Sequence, residues 1–136
     1  MKRLILITTL AILPAFATLS TTANASTLRY SGGINNCNHI GQGPVIKNSP
    51  GTIITIHASG LAMGQGHFWI LIFNKTTAPV EGDVPAIAFP LSQVIDRDYL
   101  GGLPMTTGIS WAISDSPATL NTVCAYVYGT LTVTYQ

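Results

Sequence analysis

The sequence predicts an all-β domain, a single antiparallel β-sandwich or jelly-roll after an N-terminal signal peptide. Three observations predict it. Apolar, β-branched and aromatic residues recur with a period of two. The runs are short and are punctuated by 13 glycines and 8 prolines. No segment of the exported portion keeps a helical spacing over a helix's length. Five or more short strands at roughly 10-to-20-residue spacing then call for two packed sheets. The 136 residues make at most one domain, and 47% hydrophobic content is enough to give it a core.

The amino terminus opens with Lys2 and Arg3, continues with an apolar run from Leu4 to Leu19, and ends in Ala23-Asn24-Ala25. A basic start, an apolar stretch and small residues before a cut are the features read by signal peptidase. Residues 1–25 are therefore expected to be a signal peptide and 26–136 the domain. As a membrane anchor the run is too short, since a spanning helix needs about 20 apolar residues, and Pro14 interrupts it. The mature protein is expected to be secreted, periplasmic or on the cell surface, with no membrane segment left after cleavage. Both cysteines, Cys37 and Cys124, remain in the exported portion, and an even count in an oxidising compartment reads first as a disulfide. Two buried free thiols are the alternative.

Along the domain, Thr52–Ala58 reads as a strand between the Asn48-Ser49-Pro50-Gly51 turn and Ser59-Gly60, with His57 sharing a face with Ile53 and Thr55. His67–Asn74 is apolar on both sides, Phe68, Ile70 and Ile72 against Trp69, Leu71 and Phe73, as suits a central strand covered twice. Lys75–Val84 is a charged surface loop. Ala86–Leu91 is a strand that Pro90 marks as an edge or a bulge. Asp96-Arg97-Asp98 is expected in a linker, followed by a Gly101-Gly102-Leu103-Pro104 turn. In Gly108–Ser114, Ile109, Trp111 and Ile113 alternate inward. The last run puts Val123, Ala125, Val127, Leu131, Val133 and Tyr135 on one face. Such a strand would exceed about 40 Å, so a bend or bulge is expected at Gly129.

Chemistry is sparse. Past residue 25, four Lys/Arg (Arg29, Lys47, Lys75, Arg97) face five Asp/Glu, a net charge of −1. That balance argues against nucleic acid, whose backbone is held by clustered cations. His39, His57 and His67 lack the close pairing of a zinc motif, and Asp96-Arg97-Asp98 offers too few oxygens for a calcium loop, so no metal or other cofactor is expected. Gly64-Gln65-Gly66-His67 leads into a strand, where a phosphate cradle needs a helix, and reads as a hairpin loop. No Gly-x-Ser-x-Gly elbow occurs. Trp69 and Trp111 fit core packing better than a sugar platform, and Asn74-Lys75-Thr76 has the glycosylation acceptor pattern.

Two resemblances add to this reading. Trp69–Pro79, Pro85–Leu91 and Gly102–Ser114, in matching order within residues 44–116, resemble small uncharacterised structural proteins of tailed bacteriophages. The resemblance implies a β-sandwich of a particle surface and brings no catalytic residue. The export signal and the cysteine pair depart from that pattern. At the carboxyl end, Gly129 with alternating Leu131 and Val133 and penultimate Tyr135 is similar to the terminal strand of chaperone–usher pilins and spore-coat-U-like proteins. That resemblance implies assembly by strand donation, with Ser26–Gly33 as donor.

The expected function is a non-enzymatic exported structural or surface-interaction module. Its partner would be a protein, a second copy or a surface partner, met through a strand edge, with Val127, Leu131, Val133 and Tyr135 as the candidate assembly strand. A pilin-like subunit is the second reading, and a small secreted carbohydrate-binding domain or enzyme the third. Convergence of two or more of the histidines and carboxylates within hydrogen-bonding distance in a concave pocket is the observation that would take away the main support of the non-enzymatic reading and revive the enzyme.

Overall fold

The computed structural model describes residues 24–35, 44–63, 67–121 and 126–136. These form eight strands and no helix: β1 (Ser26–Asn35), β2 (Val45–Lys47), β3 (Gly51–Met63), β4 (Trp69–Phe73), β5 (Ile87–Pro90), β6 (Ile95–Met105), β7 (Ile109–Ser114) and β8 (Tyr126–Tyr135). They make two antiparallel sheets with orders β1-β8-β3-β6 and β2-β7-β4-β5. First pairs with last, second with seventh, third with sixth and fourth with fifth. This nesting is that of a chain folded as one long hairpin and then wrapped, the jelly-roll arrangement. Residues 1–23 of the expected signal peptide, Cys37, Cys124 and residues 64–66 of the expected hairpin loop lie outside the described residues.

The two sheets close on one core. Ile53, Ile56 and Ala58 of β3, Ile95 and Met105 of β6, and Leu131 and Val133 of β8 meet Ile46, Ile70, Ile72, Phe89, Ile109, Trp111 and Ile113 from the other sheet. The two-sided strand behaves as its composition demands. While Ile70 and Ile72 of β4 enter this core, Leu71 and Phe73 point the other way and are covered by Leu120, with Ala112 beside them. The covering segment is held by Ser114, fully buried, whose hydroxyl donates to the Thr119 carbonyl (3.0 Å) and accepts from the amides of Ser116 (3.1 Å) and Asn121 (2.9 Å). Backbone bonds from Leu120 N to Asp83 O and from Gly82 N to Leu120 O, both 2.8 Å, fasten it to the Lys75–Val84 loop. In that loop Asp83 bonds Lys75 Nζ and the Val80 amide. Asn74 ties the end of β4 to the β6–β7 turn, donating from Nδ2 to Thr106 Oγ1 (2.9 Å) and accepting from the Thr107 amide (2.8 Å).

Four local expectations are corrected. Asp96-Arg97-Asp98 is not a linker: it lies in β6, at the edge of its sheet, where charges cost no burial and hinder edge-to-edge pairing. The Gly101–Pro104 stretch does not end that strand. Gly101 and Gly102 take positive φ (85° and 79°) as a bulge, so that the partner of β3 moves from Asp98 opposite Thr55 to Leu103 opposite Ile53. The same irregularity skips Ile54 against β8, changing the parity of β3, so Ile53 is buried with Ile56 while His57 is exposed. Finally, the register of β8 runs through Gly129 unbroken on both sides. Gly129 stands between Gly32 and Gly60, and a Cβ there would lie 2.6 Å from the Ser59 carbonyl oxygen and 3.0 Å from Gly60 Cα. Close strand approach, rather than a bulge, is what requires the glycine.

Candidate functional site

The sheets differ in what their outer faces carry. Behind β4 and β7 the outer face is sealed by Leu120. The outer face of β1-β8-β3-β6 is polar and, among the described residues, uncovered. On it, alternation with Ile56, Ala58, Leu131 and Val133 turns out Thr55, His57 and Ser59 from β3 and Thr130, Thr132 and Thr134 from β8. The register sets them in cross-strand rows. Arg29, Thr132, His57 and Asp96 form one row, and Thr27, Thr134, Thr55 and Asp98 the next.

Within these rows His57 Nδ1 lies 2.7 Å from Asp96 Oδ1, with side chains 49% and 73% exposed. Ser59 Oγ is 3.0 Å from Thr130 Oγ1. His57, Asp96, Ser59, Thr130 and Thr132 border a shallow depression of about 170 Å³. Asp98, one row on, brings a second carboxylate, and one donor atom from each of His57, Asp96 and Asp98 lies within 4.8 Å of the others. The arrangement can share a proton, hydrogen-bond a polar surface, or ligate a cation.

Sequence reasoning treated His57 and Asp96 singly and missed their pairing. The only available signal was an exposed histidine on one strand and an Asp-x-Asp on another, and the register that joins them is tertiary information. His67 is exposed just before β4, apart from this cluster. Of the candidate assembly strand, Leu131 and Val133 are core residues and Tyr135 packs partly against the core. With Val127, they belong to a strand flanked by β1 on one side and β3 on the other. The condition for strand pairing through β8, that it lie at an edge, is therefore not met. The place beside β8 that strand donation would leave for a partner is taken by the chain's own β1. The edges are β1, β6, β2 and β5, the last carrying Pro90 as its sequence suggested.

Comparison with protein families, curated proteins and solved structures finds no match. The class is defined by the fold alone, an antiparallel jelly-roll sandwich.

Proposed function

We propose that this protein is an exported, non-enzymatic module that works by presenting the outer face of the β1-β8-β3-β6 sheet, with the β1 edge beside it, to a protein at a cell or particle surface. The observation that carries this reading is the asymmetry of the sandwich. One outer face is closed by the chain's own Leu120 segment, while the other displays hydroxyls and charges in register on paired strands. Flat, rigid, polar faces suit macromolecular surfaces better than small ligands, which favour concave and largely apolar sites. The ten-residue β1 is the longest edge strand with few charges, since β2 and β5 are short and β6 is charged and bulged. The phage-protein resemblance agrees in kind, although a fold of this class serves many functions.

The test is the paired variant Thr55→Lys with Thr132→Lys. Both positions are solvent-facing, so folding should be kept, and the exported variant should be released to the medium while the parent stays with the surface fraction. Equal distribution of the two would refute the reading. The convergence of His57 and Asp96 beside a depression favours a second reading, a small hydrolase. Turnover of chromogenic ester, peptide or glycoside substrates by the parent, lost in His57→Gln, would replace the first reading with this one.

A further inference from the structure

We propose that His57, Asp96 and Asp98 form a surface site for a divalent transition-metal ion of the zinc class. The proposal goes beyond the presenting-face reading and does not depend on it. The ligands come from two paired strands rather than a loop. His57 and Asp96 are direct cross-strand partners, and Asp98 faces Thr55 in the adjacent row, so all three project from one sheet face. Backbone pairing has already fixed their spacing, which leaves only side-chain rotamers to be ordered. Around a tetrahedral zinc, with bonds of about 2.0–2.2 Å, donor atoms lie roughly 3.3–3.6 Å apart. Donors within 4.8 Å of one another, one pair at 2.7 Å, need shifts of about 1 Å or less, which exposed side chains supply.

The chemistry of the set narrows the ion. One imidazole and two carboxylates suit zinc, copper or nickel. Calcium wants six to eight oxygens and magnesium an octahedron of them. His57 Nδ1 and Asp96 Oδ1 face each other at 2.7 Å. A bound ion takes the place between them, with the neutral imidazole keeping its proton on Nε2 and the two carboxylates balancing the charge. Nearby cations do not oppose this. Arg97 lies on the opposite face of β6, opposite Ile56, and Arg29 stands two strands from His57, about 10 Å away at ordinary strand spacing. Three protein ligands leave further positions open to water or to a donor from a partner.

The experiment is calorimetric titration of the chelator-stripped mature protein with zinc chloride in a non-coordinating buffer, with the His57 imidazole followed by NMR. One equivalent should bind and shift the His57 resonances, and His57→Gln or Asp98→Asn should each weaken binding by more than about tenfold. Asp98→Asn is the telling variant, because an ordinary His57–Asp96 ion pair has no need of Asp98. A His39→Gln, His67→Gln double variant should bind like the parent. The proposal is overturned if zinc fails to bind below millimolar concentration, if either ligand variant binds as tightly as the parent, or if a hundredfold excess of calcium chloride displaces the ion.

Discussion

Ser114→Ala removes one oxygen atom and introduces no strain, so its cost reads the hydrogen bonds of that hydroxyl alone. In the native fold the oxygen serves the amides of Ser116 and Asn121 and the carbonyl of Thr119, at 2.9–3.1 Å. Each of these groups, left without a partner in a dry site, costs about 1–3 kcal/mol. Ser114 is fully buried, but Thr119 is half-buried and Asn121 exposed, so water can recover part of the loss. A net destabilisation of about 2–3 kcal/mol follows, a large share of the 5–15 kcal/mol typical of a domain. At roughly 4–8 °C per kcal/mol for a domain near this size, the melting temperature should fall by about 8–24 °C. The consequence is also local. The 115–121 segment seats Leu120 over Leu71 and Phe73, so amide exchange at Ser116 and Asn121 should quicken beyond the global change. Thermal and urea unfolding followed by tryptophan fluorescence give the first quantity, and hydrogen exchange the second. Ser116→Ala, which loses only an exposed bond to the Ala118 amide, is the control and should stay within about 0.5 kcal/mol. If Ser114→Ala melts within 2 °C of the parent, that segment is not held as argued.

Other outcomes follow from the same reasoning. Val133→Asp places a carboxylate at a position with no solvent exposure, and several kcal/mol of unpaired charge should leave the protein insoluble or unfolded, whereas Leu131→Ala should cost about 2–5 kcal/mol and still fold in urea titrations. Asp83 has its carboxyl held below the usual range, first by the hydrogen bond from Lys75 and then by the Val80 amide. Its contribution is therefore present above the unfolded carboxylate pKa and lost as pH falls through the lower folded value. A stability–pH series should show Asp83→Asn less stable than the parent near neutrality by about 1 kcal/mol or less and converging on it as pH falls below the usual carboxylate range. The two cysteines lie outside the described residues, and the disulfide is predicted from their even count in the portion expected to reach an oxidising compartment. The unreduced protein should accordingly resist thiol alkylation under denaturing conditions. Alkylation of both cysteines would rule the bridge out.

Much of this architecture is legible in the chain because strand alternation is a local property. Ile109, Trp111 and Ile113 face the core because every second residue of a strand must share a side. Phe68–Phe73 is apolar throughout because β4 has a core on each face. Pro90 sits on an edge strand because a central one would need its missing N–H. What the sequence did not carry is anything set by register between distant segments. The bulge at Ile54 reverses the parity that places His57 opposite Asp96. The two glycines at positive φ turn an expected turn into a continuing strand. The burial of β8 between β1 and β3 removes it from the edge where an assembly strand would have to lie. Alternation depends on one residue's neighbours, and the sequence determines it. Pairing is a choice among all strands, made by the shared core they must close, and only the tertiary structure decides which polar residues end up side by side on the open face.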